Sequence, residues 1–289
     1  METKIIYKNE LPFLLQQIND PPEKLYIQGQ LPLPTTKMLC VVGSRKYSSY
    51  GKEVTEKLIS GLKGYNICIV SGMALGIDGF AHRAALEAGL HTIAFPGSGL
   101  DPRVIYPASH APLSREILKA GGALISENEM LQVSAPWTFP KRNRLLAGIS
   151  HATLVIEADL QSGTLITSKY ATDYNRDVGT VPGNIYSPLS AGPHQLLGLG
   201  AKVITSSDSI LELLDLKKKG EEIRPEQRTL LLNLSENERK MLDFITIEPH
   251  TVEQLIYKTG LSVQEINLAV SQLEIEGIIV ERGGKVRIT

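Results

Sequence analysis

Between residues 38 and 216, short apolar runs alternate with segments whose apolar positions recur at helical spacing. The runs read "MLCVVGS", "NICIVSG", "HTIAFPG", "ALISEN", "ATLVIEA", "DVGTVPG" and "AKVIT". They are rich in Val and Ile and show no strict apolar/polar alternation, which predicts strands buried on both faces of a sheet. Helical periodicity between them predicts helices over 51–62, 77–88, 109–120, 144–150 and 164–174. Buried strands separated by helices define a parallel sheet covered on both sides. Residues 38–216 are therefore expected to form a doubly wound, mostly parallel α/β domain of Rossmann-like type.

The flanks have other patterns. Residues 1–37 read as a short N-terminal lead-in, with one amphipathic helix broken at Pro21-Pro22 and then an edge strand. Residues 217–234 form a charged linker without apolar periodicity. From 235 to 289 the period is helical again. Ser235 and Glu238 make a capping box before Met241 and Leu242, a second helix runs through "TVEQLIYKTG" to Gly260, and Ser262 with Glu265 opens a third. A hairpin around Gly283-Gly284 follows, so this segment is expected to be a small winged-helix domain.

Composition narrows the function classes. The chain has 289 residues, 42% of them hydrophobic and 21% charged, which is the balance of an ordinary soluble globular protein. No apolar stretch approaches the ~20 residues that cross a bilayer, and "METKIIYKNE" has no signal-peptide apolar region, so a cytoplasmic location is expected. Cys40 and Cys68 sit inside apolar strand runs and read as buried free thiols in a reducing compartment. No Cys/His cluster appears, so neither a metal site nor a cofactor is expected. The net charge is only −1, and any polyanion partner must be recognised through local patches.

Candidate chemistry gathers at strand ends, the ligand edge of an open parallel sheet. The first turn, "VVGSRKYSSYG", is no dinucleotide fingerprint; it places Ser44, Arg45 and Lys46 at that edge, where Arg45 either holds a phosphate or pairs with a nearby carboxylate. In "SGMALGIDGFAH", Ser71 and Gly72 begin a loop whose amides can form an anion nest. Asp78 and His82 lie four apart on the following helix and read as structural. Ser162, Gly163 and Thr164 start a further helix with hydroxyls and amides toward the edge. The basic run in "FPKRNRLLAGIS" is either a solvated helix face or an anion site at a helix start, with Lys141 and Arg142 toward phosphates and Asn143 and Arg144 bracing the loop. Tyr47, Trp137 and Phe139 are candidate stacking surfaces for unpaired bases. No nucleophile elbow, paired carboxylates or Walker A sequence is present, so binding is favoured over catalysis and no catalytic residue is assigned.

Eight ordered stretches then resemble the DNA-processing protein A family, DprA or Smf: "GSRKYSSYG", "SGMALGIDGFAH", "HTIAFPGSGLDPRVIYP", "GGALISE", "FPKRNRLLAGIS", "LVIEADLQSGTLITSKYA", "VGTVPGNI" and "LGLGAKVI". The resemblance implies an extended Rossmann fold that binds single-stranded DNA, forms a homodimer and promotes loading of the RecA recombinase during natural transformation or DNA recombination, with single-strand-binding protein as a further partner. It implies a non-enzyme. It also implies that Gly43, Ser44 and Arg45, and the run from Phe139 through Lys141, Arg142, Asn143 and Arg144, contribute to the DNA pocket. Two departures stand out: the chain starts too late to hold the helical SAM-like domain of many members, and His194 replaces an Asn usual in the last sheet-edge turn. The alternative is a nucleotide-binding or nucleotide-processing protein similar to the phosphoribohydrolases. It keeps Gly163-Thr164 of their motif but has Thr167 where their catalytic Glu stands. The C-terminal third helix carries Glu265, Glu274 and Glu276 and no Lys or Arg, which disfavours operator binding and leaves a protein contact or a weak duplex contact.

Overall fold

The computed structural model describes residues 3–217, 235–245, 250–275, 279–282 and 285–288. Contacts divide the chain into two compact units, Met1–Lys218 and Lys219–Thr289. In the first unit a nine-stranded sheet runs in the order β1-β2-β6-β5-β4-β3-β7-β8-β9. These strands are β1 Thr3–Tyr7, β2 Lys24–Gly29, β3 Lys37–Val42, β4 Ile67–Ser71, β5 His91–Ala94, β6 Ala123–Ser126, β7 Ala152–Val155, β8 Asp177–Thr180 and β9 Lys202–Val203. The seven from β3 onward are mutually parallel, whereas β2 lies antiparallel to β6 and β1 antiparallel to β2.

The helices are α1 Phe13–Gln16, α2 Ser49–Ser60, α3 Ile77–Glu87, α4 Ala111–Lys119, α5 Thr138–Ile149, α6 Gly163–Asp173, α7 Ala191–Gly198 and α8 Ser207–Leu213. Side chains alternate across each strand, and here both faces are covered. In β3, Cys40 and Val42 join a core with Leu145, Leu146 and Ala171 of α5 and α6. Leu39 and Val41 join the opposite core with Ile59, Ile77 and Ile210 of α2, α3 and α8. This double burial is why the strand runs are apolar without a break. Successive crossovers leave β3 in opposite directions, β4-β5-β6 to one side and β7-β8-β9 to the other. The crevice outside the carboxyl ends of β3 and β7 is therefore the ligand position of an open α/β sheet.

Two expectations need correction. The N-terminal region contributes two strands, not one. β2 is an interior strand covered by β1, and the helix before Pro21-Pro22 is the single turn α1. The helix expected at 144–150 begins instead at Thr138. Its start is fixed by Thr138, whose hydroxyl donates to the Ala135 carbonyl at 2.8 Å and accepts from the Ala135 amide at 3.1 Å. Pro140 does not break the helix, because it stands in the first turn, where amides have no intrahelical acceptor to lose.

The second unit holds α9 Glu236–Ile245, α10 Val252–Thr259 and α11 Val263–Ile275, with the antiparallel pair β10 Ile279–Arg282 and β11 Lys285–Ile288. Ser235 and Glu238 cap one another as expected, as do Ser262 and Glu265. Gly260 closes α10 at φ 71°, a left-handed position that glycine takes without strain. Met241, Leu255, Ile266, Leu273 and Val286 form this unit's own core. His250 bridges to Val286 in antiparallel fashion, adding a third segment to the wing. Residues 218–234 of the expected linker, Glu276 and the Gly283-Gly284 turn lie outside the described residues.

Candidate nucleic-acid interface

A cavity of about 300 Å³ opens at the strand-order reversal. Gly43, Ser44, Arg45 and Lys46 come from the loop after β3. Phe139, Pro140, Arg142 and Asn143 come from α5. Asp159, Ser162, Gly163, Thr164 and Thr167 come from the β7–α6 turn and α6. The start of α6 faces this space with Ser162 as its cap, the hydroxyl accepting from the Thr164 amide at 3.2 Å. A helix N-terminus and its dipole favour an anion there.

Helical geometry sorts the basic run. Successive residues of α5 turn by about 100° around the axis, so four adjacent polar side chains face different ways. Arg142 points into the protein and is 7% exposed, and its Nη1 donates to the carbonyls of Gly72 and Phe95. Gly72 is the residue that lets it pass, since a Cβ there would meet the guanidinium at 2.7 Å. Asp78 lies beneath, accepting from the amides of Gly72 at 3.1 Å and Ala74 at 3.2 Å. Burial pushes the Asp78 carboxyl up, and Arg142 is the strongest influence opposing that rise. Burial likewise brings the Arg142 guanidinium down to about 10, with Asp78 opposing. The two are each other's counter-ions within the pocket floor.

The other members of the run have separate duties. Lys141 sits 3.3 Å from Glu127, and Arg144 makes a two-pronged contact with Glu127 at 2.9 and 2.8 Å while its Nε lies 3.3 Å from Asp20. Arg144 is held by Glu127 and Asp20 and not against the glycine rim, and Lys141 pairs with Glu127 outside the pocket lining. Asn143 accepts from Arg142 Nε at 3.1 Å and donates to the Gly163 carbonyl at 3.3 Å, tying α5 to α6.

Ser71 and Gly72 do not supply free groups to this rim. Ser71 is fully buried and its hydroxyl donates to the Val41 carbonyl at 2.7 Å, while both backbone groups of Gly72 are used by Asp78 and Arg142. Polar groups at these strand ends are satisfied internally, as burial requires. Ser44 also closes its own turn, its hydroxyl donating to the Lys46 carbonyl and accepting from the Lys46 amide.

The exposed cations at the mouth are Arg45 and Lys46, and neither pairs with a carboxylate among the described residues. Arg45 lies 5.0 Å above the Phe139 ring, a cation–π arrangement that aims the guanidinium across the opening. Tyr106, half-exposed and absent from the sequence expectations, extends this surface with its ring 5.7 Å from Phe139. The loop "GLDPRVIYP" gave no local sign of it, because nothing in that stretch places Tyr106 beside α5. Tyr47 instead meets Phe80 edge-on at 4.6 Å, and Trp137 is exposed one position before α5.

The remaining acidic groups are spoken for. Glu157 accepts from the Ser48 amide at 3.0 Å and from its hydroxyl, fixing the start of α2, and Asp159 accepts from the Gln161 amide at 2.8 Å. His82 is buried, its Nδ1 2.8 Å from the Thr92 hydroxyl, and burial brings it down to about 3. Asp78 and His82 thus have the structural role expected of them. Both cysteines are buried and free, and desolvation pushes their thiols far up. Among the described residues no cluster of His, Cys, Asp or Glu is arranged to hold a metal, and no helix is long and apolar enough to cross a membrane.

A doubly wound sheet with a cation-lined crevice at its switch point defines a Rossmann-like protein carrying a C-terminal winged helix. Sequence comparison gives the family. Residues 2–215 match the model of DNA recombination-mediator protein A, and residues 225–285 match that of the DprA winged helix domain. The chain belongs to this DprA/Smf family. It is similar to Protein Smf of Escherichia coli, 35% identical across 96% of this chain and 75% of the relative. It is also similar to the DNA processing protein DprA of Streptococcus pneumoniae, 40% identical across 69% of this chain and 70% of the relative. The X-ray structure of the Streptococcus pneumoniae protein superposes with a TM-score of 0.69 at 36% identity, covering 76% of each chain. The Helicobacter pylori DNA processing protein A, solved to describe its single-stranded DNA binding mode, gives a TM-score of 0.67 at 29% identity, covering 75% of this chain and 98% of the other.

Proposed function

We propose that this chain binds single-stranded DNA across the crevice at the ends of β3 and β7 and serves as a recombination mediator that presents the strand for RecA loading. The observation that carries the reading is the presence of two exposed cations, Arg45 against the Phe139 ring and Lys46 next to it, beside the N-terminus of α6, neither in an ion pair among the described residues. Cations and helix amides take phosphates, while an aromatic face stacks a base without regard to its identity. Membership of the DprA/Smf family and the single-stranded DNA binding of the Helicobacter pylori relative support the same reading. A cytoplasmic homodimer acting with RecA and single-strand-binding protein, in natural transformation or in recombination more generally, completes the proposal. The winged helix fits a protein contact better than an operator, because α11 carries no cation and exposes Val263 and Leu268 beside Glu265.

The test is fluorescence anisotropy of a labelled oligo-dT with the wild type and an Arg45→Glu/Lys46→Glu variant. Wild-type affinity should fall with salt at a log–log slope of about −0.7 for each phosphate contact, and the variant should lose both affinity and slope. Equal binding by the two proteins would remove the crevice from the reading. RecA strand exchange on single strands coated with single-strand-binding protein tests the second half. Stimulation by the wild type is expected, and its absence would leave a DNA-binding protein without the mediator role.

A further inference from the structure

At the opposite edge of the sheet, by the amino ends of β3, β7 and β8, lies a second cavity of about 360 Å³. Lys37 opens β3, His151 precedes β7, Arg176 precedes β8, and Leu14 of α1 forms an apolar wall. Arg176 is anomalous. One guanidinium nitrogen donates to the Leu14 carbonyl at 2.9 Å, but its Nε is buried with no hydrogen-bond partner. Burial brings this guanidinium down, and no carboxylate opposes the shift. Asp177 and Asp215 border the same cavity, yet neither forms an ion pair with Arg176 or Lys37 among the described residues. A half-buried cation without a counter-ion is a standing cost in a folded protein.

His151 adds a third donor. Its Nδ1 accepts from the Met38 amide at 3.0 Å, which leaves the proton on Nε2. Lys37 and Arg176 both act with burial to hold the ring neutral, so the two cations stand close to it. An ammonium, a guanidinium with an unused N–H and an imidazole N–H thus line one cavity with the apolar wall of Leu14, beside the carboxylates of Asp177 and Asp215 and the polar side chains of Thr172 and Asn175.

We propose that this cavity is a second anion site that takes a phosphate group. The Lys37 ammonium, the His151 N–H and the part of the Arg176 guanidinium that lines the cavity can each donate to an oxygen of a tetrahedral phosphate. The phosphate comes either from a free nucleotide or from the backbone of a polynucleotide. The site stands on its own residues and is independent of single-strand binding at the crevice.

The experiment follows the His151 ring resonances of the histidine-labelled full chain by NMR. Orthophosphate and AMP are titrated first, then a short oligo-dT against an Arg45→Glu variant in which the crevice is disabled. A saturable His151 shift is expected, weakened about tenfold or more in Lys37→Gln and in Arg176→Gln, and unaffected by Arg45→Glu. Lys37→Gln provides the control for folding, since its side chain is half-exposed at a strand start and its loss leaves the core untouched. A shift with oligo-dT assigns the site to a polynucleotide backbone; a shift with orthophosphate and AMP alone assigns it to a free phosphate. No saturable shift with any of the three probes, or equal affinity in wild type and both variants, overturns the proposal.

Discussion

Arg142→Met separates structural from ligand-binding cations in the basic run. Methionine keeps much of the length of the side chain but removes the guanidinium that caps the Gly72 and Phe95 carbonyls and balances Asp78. Each buried carbonyl left without a donor costs about 1–3 kcal/mol, and breaking a buried charge pair from one side costs about 3–5 kcal/mol overall. Asp78 keeps its two amide donors, which places the expected loss within the second range. For a unit of 218 residues that corresponds to a fall in Tm of roughly 6–20 °C, at ~2–4 °C per kcal/mol. The loss should also depend on pH in a defined direction. Burial holds the folded Asp78 above the ordinary carboxylate range, and removing Arg142 takes it higher still. A group raised on folding contributes stability that is full below its unfolded value, near 3.9, and is lost as pH rises through the folded value. The window of loss therefore extends further upward in the variant: the two proteins lose stability in parallel up to the folded value of the wild type, and the Tm gap should widen between that value and neutrality. Scanning calorimetry of both proteins across that range measures it. A gap below about 2 °C that stays flat with pH would refute the assignment of Arg142 as a structural counter-ion and return it to the DNA-facing cations.

Two further outcomes follow from contacts of the same region. Glu127→Gln should release Lys141 while Arg144 keeps its contact with Asp20, and so strengthen oligo-dT binding about two- to fivefold at low ionic strength, with the gain shrinking as salt rises; anisotropy at two salt concentrations reads it, and unchanged affinity would place Lys141 away from the strand. Cys40 and Cys68 should resist a thiol reagent in the folded protein and react fully once unfolded, since both are buried and their thiols are pushed up by desolvation; fast labelling under native conditions would contradict that burial.

Strand positions were legible in the sequence wherever burial is two-sided. Each of β3, β4, β5, β6 and β7 lies in a run that needs no partner to be recognised, because its residues are apolar on both faces. β1 escaped notice for the opposite reason. It is a short edge strand in which Ile6 is buried and Lys4, Ile5 and Tyr7 are exposed, so "TKIIY" has too little pattern to read. The onset of α5 lies ahead of the apolar run at 144–150, in a polar first turn that holds Pro140, where a proline removes no hydrogen bond.

The candidate site was legible as composition and not as geometry. Arg45 could be placed at the ligand edge from the strand that precedes it, since the end of β3 and the loop after it are fixed locally. The "KRNR" run could not be resolved the same way. Its residues are equivalent as charges, and only the helix that carries them gives each a direction. Once α5 extends back to Thr138, Arg142 must face the sheet, and Arg144, two positions on, reaches the Glu127 side. Lys141 and Arg144, three apart, share one face and therefore one carboxylate. What a linear reading takes as three cations competing for one phosphate is thus a floor, a brace and a reserve. The free charge at the crevice comes from Arg45 and Lys46, which sit in a loop where no helix turns them away.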